Sequence, residues 1–250
     1  MRRLFVEPGQ ISGNVARITG PDHLHLARVL RVRVGELLQL LDNTGKAYQG
    51  HITEVGKNET IVAVDGSVVP PPEPLLSITI AQALGKGDKL EQVIQHGTEA
   101  GASAFLPIRA ERSTVDIPAD RIQDRLLRWR QIAKGAAEQS GRSRIPEVQE
   151  PLALKALLGR LDCPALLLQP GANSILLRDA LRPLFLASPA RLVIAVGPEG
   201  GWSPAEVSES IAANMVAVTI GPRILRTETA ALIAISQVLY AFEGENNSGD

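Results

Sequence analysis

The chain has 250 residues, of which 44% are hydrophobic and 21% are charged, a balance typical of a folded globular protein and not of a disordered one. Its net charge is −1, so overall charge indicates no nucleic-acid partner, although residues 75–145 carry 11 Lys/Arg against 8 Asp/Glu and would suit a local RNA-binding face. The single cysteine, Cys163, excludes an internal disulfide and a cysteine-rich metal site.

The amino-terminal segment has no apolar stretch of the kind found in signal peptides. No apolar run approaches the roughly 18 residues that a membrane-spanning helix requires. The four histidines lack partners at metal-ligand spacing. We therefore expect a cytoplasmic protein that contacts no membrane and binds no metal.

Up to position 69 the sequence predicts a small β-barrel-like domain. Strands are predicted over residues 2–6, 37–41, 47–55 and 60–64, and one short helix over residues 21–31. Asp42-Asn43-Thr44-Gly45 is a turn signal between the second and third strands. The four prolines within 69–74 can continue neither a helix nor a central strand. We place a domain over residues 1–69 and a linker over 70–74.

After the linker, predicted strands and helices alternate. The strands cover residues 76–81, 104–108, 165–168, 192–196 and 215–220, and the helices cover residues 89–100, 120–139, 175–181, 203–214 and 228–242. This alternation predicts an α/β fold with a parallel sheet covered by helices. We place this second domain over residues 75–243 and a polar tail over residues 244–250.

Two glycine-rich loops in the last third of the chain predict a small-molecule pocket. Gly197-Pro198-Glu199-Gly200-Gly201 follows a buried strand and opens a helix that Ser203 and Glu206 can cap. The second loop begins with Gly221-Pro222, also directly after a strand. Glycine lets a ligand approach the backbone closely, and such folds bind ligands at the carboxyl ends of their parallel strands.

The two loops and several other segments closely resemble one bacterial family, the ribosomal RNA small subunit methyltransferases E of the SPOUT superfamily. The other segments include Lys86-Gly87-Asp88-Lys89-Leu90-Glu91, Glu111-Arg112-Ser113 and Ala136-Ala137-Glu138-Gln139-Ser140-Gly141-Arg142. The resemblance covers nearly the whole chain. It implies a PUA-like β-barrel that binds RNA, followed by a SPOUT α/β domain with a parallel sheet and a C-terminal trefoil knot.

The resemblance also implies the activity, which is methylation of N3 of a uridine in 16S ribosomal RNA with S-adenosyl-L-methionine (SAM) as the cofactor. The implied partners are 16S ribosomal RNA or the small ribosomal subunit, and a second copy of the chain in a homodimer. The cofactor-binding residues carried over are Leu168, Gln169, Gly171, Gly197, Glu199, Gly201, Ile220, Gly221, Leu225, Arg226, Thr229 and Ala230.

Transfer of a methyl group to N3 requires removal of a weakly acidic imide proton. An arginine could stabilise the resulting anion, and a carboxylate or water could accept the proton. We assign the first role to Arg142, with Arg226 as the second candidate, and we name Glu199 as the proton acceptor. RNA contacts are expected from Arg2, Arg3, Arg28, Arg31, Lys86, Lys89, Arg112 and Arg144. Arg28 and Arg31 are three residues apart, which predicts that they share one helix face.

Two other functions stay open on the sequence. One is a non-catalytic RNA-binding or ribosome-assembly protein that retains an inactive pocket. The other is a methyltransferase of the same architecture that modifies transfer RNA or a ribose 2′-hydroxyl group. Binding of SAM would separate an enzyme from the first alternative, and the identity of the modified nucleoside would separate it from the second.

Overall fold

The protein is described by a computed structural model that covers residues 1–171 and 174–246. The chain divides into two compact units. The first consists of Met1–Glu73 with Ala137–Ile145, and the second of Pro74–Ala136 with Pro146–Asp250. Among the described residues, no helix combines the length and the apolar character needed to cross a bilayer, and no cluster of His, Cys, Asp and Glu side chains could hold a metal ion.

The described residues of the first unit form a six-stranded sheet. Its strands are β1 (Arg2–Phe5), β2 (Ile11–Ser12), β3 (Val15–Thr19), β4 (Leu37–Leu41), β5 (Ala47–Val55) and β6 (Glu59–Val68), in the spatial order β1-β4-β5-β6-β3-β2. Strands β1 and β4 are parallel and the other pairs are antiparallel. The predicted helix over residues 21–31 is a short helix, α1 (Gly20–Leu24), continued by a π-helical turn over His25–Val29.

The turn between β4 and β5 lies where the sequence predicts it. The Oδ1 atom of Asp42 accepts hydrogen bonds from the backbone N–H groups of Thr44 (2.9 Å) and Lys46 (3.2 Å). Burial raises the pKa of Asp42, but the hydrogen bond from the Thr44 hydroxyl (2.7 Å), the two backbone hydrogen bonds and the charge of Lys46 outweigh burial and leave the pKa below its usual value. Asn43 and Gly45 have φ angles of 60° and 99°, a conformation that turn residues of these types tolerate.

The second unit is built on a parallel sheet, which confirms the predicted α/β alternation. Its strands are β7 (Ser77–Ala83), β8 (Ala104–Arg109), β9 (Glu147–Val148), β10 (Leu152–Ala153), β11 (Ala165–Leu168), β12 (Ile175–Leu176), β13 (Arg191–Val196) and β14 (Val216–Thr219). Their order is β10-β8-β7-β13-β11-β14-β12, and β9 also pairs with β8. The helices that begin in this unit are α2 (Lys89–Glu99), α3 (Ile122–Ser140), α4 (Leu154–Leu158), α5 (Leu177–Ala187), α6 (Pro204–Ala212) and α7 (Thr227–Asn246).

Apolar residues on both faces keep the central strands of this sheet in the interior. All four residues of β11 are buried, as are residues 192–196 of β13. Strands that are covered on both faces read as continuous apolar runs and not as alternating ones. The sequence signal for these strands was therefore the apolar run itself.

The structure differs from the predicted domain limits in two places. Residues 137–145 belong to the first unit, although the sequence placed them in the second domain. They do so because Glu138 accepts a hydrogen bond from the backbone N–H of Phe5 (2.9 Å) and because Glu73 binds residues 142–144. Helix α7 continues to Asn246, into the predicted tail over 244–250, whose last four residues lie outside the described part.

Candidate cofactor pocket

Three loops meet where the central strands of the parallel sheet end. Strands β13, β11 and β14 are neighbours in that order, so their carboxyl ends lie at one edge of the sheet. The loops that follow them, over 197–201, 169–171 and 220–226, contribute to the wall of a cavity of about 380 Å³. The described residues that line it are Lys89, Leu168, Gln169, Pro170, Val196, Gly197, Pro198, Glu199, Gly201, Trp202, Val218, Thr219, Ile220, Arg223, Ile224, Leu225, Arg226, Thr227 and Ala230.

Hydrogen bonds join these loops to one another. Thr227, the first residue of α7, donates its hydroxyl proton to the carbonyl oxygen of Gly197 at 2.6 Å and accepts a hydrogen bond from the amide of Gln82 at 2.7 Å. The indole N–H of Trp202 donates to the carbonyl oxygen of Leu168 at 3.1 Å. The cavity wall is thus pre-formed, and a ligand that binds there need not order it first.

Two of the three glycines in the first loop, Gly197 and Gly201, are favoured by its geometry. A Cβ atom at Gly197 would lie 3.1 Å from Nε1 of Trp202, and Gly201 has a φ angle of 68°, which favours glycine. The predicted helix cap after this loop is present. Ser203 Oγ accepts a hydrogen bond from the N–H of Glu206 (3.2 Å), and the Glu206 carboxylate accepts one from the N–H of Ser203 (2.8 Å).

Glu199 forms an ion pair at the rim of the cavity. Its Oε1 atom lies 2.5 Å from Nζ of Lys89, which the sequence had assigned to RNA binding. Burial raises the pKa of Glu199, but the hydrogen bonds and charge of Lys89 and the backbone N–H groups of Lys86 and Glu199 lower it more. The carboxylate is therefore a weaker base than an isolated glutamate.

Arg142 also has a carboxylate partner, in the first unit. Its guanidinium donates from Nε to Oε2 of Glu73 at 3.0 Å, and Oε1 of Glu73 accepts from the backbone N–H groups of Ser143 (2.9 Å) and Arg144 (3.1 Å). Burial raises the pKa of Glu73, and the Arg142 and Ser143 bonds outweigh burial and lower it. Arg142 therefore has a structural role, because its ion pair helps to hold the segment 142–144 against Glu73.

The remaining predicted RNA contacts are distributed over both units. In the first unit, Arg2 donates to the carbonyl oxygen of Leu30 (2.7 Å), Arg3 to the side chain of Gln39 (3.1 Å) and Arg144 to the carbonyl oxygen of Thr44 (2.9 Å). In the second unit, Lys86 is exposed and Arg112 donates to the carbonyl oxygens of Gly200 (3.2 Å) and Trp202 (3.3 Å). Arg112 therefore supports the first glycine-rich loop.

The argument that Arg28 and Arg31 share a helix face was wrong. The π-helical turn ends at Val29, and Arg31 has a φ angle of 49°, in the left-handed region. A helical spacing rule does not apply across such a residue. Both side chains are exposed.

Comparison with known families and curated relatives decides the family. The RNA methyltransferase domain family matches residues 71–239, and the RNA methyltransferase PUA domain family matches residues 18–65. The Bacillus subtilis protein named ribosomal RNA small subunit methyltransferase E is 34% identical over 250 residues, which is 97% of this chain and 98% of the relative. The protein of the same name from a Synechocystis strain is 36% identical over 94% of this chain and 76% of the relative. The chain belongs to the ribosomal RNA small subunit methyltransferase E family.

Solved structures agree with this family assignment. The Neisseria gonorrhoeae member of the methyltransferase E family, solved with bound S-adenosyl methionine, matches with a TM-score of 0.85 and 31% identity over 97% of this chain and 98% of the other. A Legionella pneumophila protein solved with the bound cofactor SAM matches with a TM-score of 0.87 and 33% identity over 96% of each chain. The chain therefore has a PUA-like N-terminal domain and a parallel-sheet domain, each similar to its counterpart in the family.

Nine of the twelve predicted cofactor-binding residues line the cavity: Leu168, Gln169, Gly197, Glu199, Gly201, Ile220, Leu225, Arg226 and Ala230. Gly171, Gly221 and Thr229 are not part of the wall. Gly221 instead shapes the second loop with a φ angle of 137°, and Thr229 is exposed on α7.

Sequence reasoning missed several wall residues that lie at strand ends or outside the glycine-rich segments. Val196, Val218 and Thr219 are the last residues of their strands or next to the last. Their proximity to the loops was a usable signal. Trp202 and Thr227 were not assigned to the site from the sequence, and only the tertiary contacts reveal that they join the loops.

Proposed function

We propose that this chain transfers a methyl group from SAM to N3 of a uridine in 16S ribosomal RNA of the small ribosomal subunit. The observation that carries the proposal is the pre-formed cavity at the ends of β11, β13 and β14. It occurs in a chain whose family relatives are named for methylation of small-subunit ribosomal RNA and include a member solved with S-adenosyl methionine.

The cavity suits SAM by its size and its lining. Its volume of about 380 Å³ lies within the range of small-molecule sites. Leu168, Val196 and Leu225 offer apolar contacts for the adenine ring, and the glycine-rich backbone offers polar groups without side chains in the way. When bound, SAM supplies an electrophilic methyl group on a sulfonium centre.

We propose that the protein residues position the uridine and stabilise its anion. Arg226 lines the cavity and forms no ion pair with the residues that the structure describes, whereas Arg142 is paired with Glu73. This difference favours Arg226 over Arg142 as the group that faces the deprotonated imide. Because the ion pair with Lys89 lowers the basicity of Glu199, we assign Glu199 the role of anchoring Lys89. Water would then accept the imide proton from N3 of the uridine.

We further propose the finer features of the architecture that the family resemblance implies. These are closure of the first sheet into a PUA-like barrel, a trefoil knot formed by the C-terminal segment, and a homodimer. The first unit, which includes residues 137–145, would contribute RNA contacts through Arg2, Arg3, Arg28, Arg31 and Arg144, and the second unit would contribute Lys86. Action on ribosomal RNA would place the protein in the cytoplasm.

The proposed function is tested by incubating the protein with methyl-labelled SAM and an unmodified 16S ribosomal RNA transcript, or small subunits assembled from it. Nuclease digestion and mass spectrometry should then reveal N3-methyluridine. A 2′-O-methylated nucleoside, or methylation of transfer RNA alone, would overturn the proposed specificity. Absence of SAM binding by calorimetry would leave a non-catalytic RNA-binding protein.

The same assay separates the two arginines. Arg226→Ala should lower kcat on the order of 100-fold, the usual effect of removing one group that stabilises a developing anion, with a much smaller change in SAM affinity. Arg142→Ala should lower the melting temperature and leave kcat of the folded protein within a few-fold of wild type. The opposite pattern would assign the catalytic role to Arg142.

A further inference from the structure

A second cavity lies beside the cofactor pocket in the same unit. It has a volume of about 670 Å³ and is lined by residues 84–91, 115–118 and 121–129, although not by every residue of these segments. Its apolar part includes Leu84, Leu90, Ile117 and Trp129, all of which are buried. We call this cavity the arginine groove, because Arg121, Arg125 and Arg128 of the α3 region line it with 70%, 52% and 62% of their side chains exposed.

One backbone segment separates the arginine groove from the cofactor pocket. Gly85 lines the groove, and Glu199 lines the pocket. A Cβ atom at Gly85 would lie 3.0 Å from Oε1 of Glu199, and the backbone N–H of Lys86 donates to the same carboxylate. A ligand in the groove would therefore lie next to the molecule that occupies the cofactor pocket.

The acidic side chains of the groove already have partners or roles. Glu91, whose side chain is only 13% exposed, lies 2.6 Å from Nη2 of Arg128 and 3.8 Å from Nη1 of Arg125. Asp116 pairs with Arg109 at 3.7 Å, and Asp124 lies in the first turn of α3, where a negative charge stabilises the helix. A guanidinium carries five N–H donors, so Arg125 and Arg128 can hold Glu91 and still bind a second anion.

We propose that the arginine groove binds a nucleotide of the RNA that flanks the target uridine, an inference that rests on the proposed function. A base that is modified at a Watson–Crick atom must leave its stack, and its neighbours in the strand are then splayed. Proteins hold such unstacked nucleotides with an apolar or aromatic surface for the base and arginine for the phosphate. In the groove, the surface formed by Leu84, Leu90 and Ile117 receives the base, and Arg121 and Arg125 hold the phosphates.

The test uses the double variant Arg121→Ala/Arg125→Ala, which leaves Arg128 in place to neutralise Glu91. The matched control is Lys155→Ala/Arg160→Ala, which removes the same charge from exposed positions in and after α4. Affinity for a labelled 16S ribosomal RNA transcript is measured by fluorescence anisotropy between about 50 and 200 mM salt, a range over which phosphate contacts weaken strongly. SAM affinity is measured by calorimetry.

The double variant should bind the transcript on the order of tenfold more weakly than the control. Its slope of log affinity against log salt should be smaller by about 1.4, since each phosphate contact to a single strand contributes about 0.7. SAM affinity and melting temperature should match those of the control. Equal RNA affinity and equal slope in the two variants would overturn the proposal.

A second measurement does not depend on any variant. In the wild-type protein, 4-thiouridine placed next to the target position of the transcript should crosslink to peptides that contain residues 84–91 or 115–129. Crosslinks confined to other peptides would overturn the groove assignment even if the double variant does not fold. If the groove binds RNA but no methylated uridine forms, the proposed function fails alone. If N3-methyluridine forms and the groove variants behave like the control, the groove assignment fails alone.

Discussion

At the scale of single residues, the pocket depends on one hydroxyl group that bridges two strand ends. Thr227 donates to the carbonyl oxygen of Gly197, and this uses its only proton, so the Gln82 amide must act as a donor to Thr227. The Oε1 atom of Gln82 is buried, with no hydrogen-bond partner among the described residues. The Thr227 hydroxyl therefore accepts from Gln82 and donates to Gly197, and no other side chain in the described network can replace it.

Replacing this hydroxyl should weaken cofactor binding. Thr227→Val keeps the side-chain shape but removes the 2.6 Å hydrogen bond to the Gly197 carbonyl oxygen and leaves the Gln82 amide with only its 3.2 Å hydrogen bond to the carbonyl oxygen of Ala83. A buried polar group that loses its partner costs about 1–3 kcal/mol. We expect SAM affinity, measured by calorimetry, to fall roughly tenfold or more. Thr229→Val is the matched control, because Thr229 is exposed on the same helix turn and does not line the cavity. If Thr229→Val weakened binding and Thr227→Val did not, the original assignment of Thr229 to the cofactor would be correct.

At the scale of elements, helix α2 packs against strand β8 and helix α7 through a glycine. A Cβ atom at Gly97 would lie 2.8 Å from Cε1 of Phe105 and 3.3 Å from Cδ1 of Ile235. Both neighbours are completely buried and cannot move aside. The close approach of α2 to the sheet and to α7, whose first turn carries Thr227, therefore requires glycine at this position.

Two glycine-to-alanine variants test this packing against helix propensity. Gly97→Ala should destabilise the protein by about 1–3 kcal/mol through overpacking. Gly135→Ala should stabilise it by up to about 1 kcal/mol, because Gly135 lies inside α3, is exposed and has open space around its Cβ position. In thermal melts, each kcal/mol corresponds to a shift of roughly 2–4 °C in Tm for a chain of this size. Equal shifts of the same sign would contradict the packing argument.

The elements that the sequence predicted are those with strong local signals. Residues 192–196 and 165–168 form long apolar runs, and the loops after them contain glycine, so both the central strands and the pocket edge could be predicted. Strands β9, β10 and β12 have two residues each, too few for any periodicity to appear. The grouping of residues 137–145 with the first unit and the ion pairs of Glu73 and Glu199 depend on partners 69 and 110 residues away in sequence. No local pattern encodes such contacts.

At the scale of the whole molecule, exposed apolar side chains near the cofactor pocket favour the proposed homodimer. A groove of about 410 Å³ between α5 and α7 is lined by Leu176, Leu181, Phe185 and Tyr240, and Tyr240 is 82% exposed. Ile220 lines both this groove and the cofactor pocket. A partner that covered the groove would therefore also cover one wall of the pocket, which links dimer formation to cofactor binding.

We predict that the wild-type protein is a dimer and that Tyr240→Glu converts it to a monomer, because a charge on a desolvated apolar interface is strongly unfavourable. Light scattering at several protein concentrations measures the mass. Ile211→Glu on α6 is the control, since Ile211 is also an exposed apolar residue, at 49%, but lies outside this groove. The Tyr240→Glu monomer should also bind SAM more weakly, because the wall that contains Ile220 loses its cover. A monomeric wild type, or dissociation by Ile211→Glu and not by Tyr240→Glu, would contradict dimerisation through this groove.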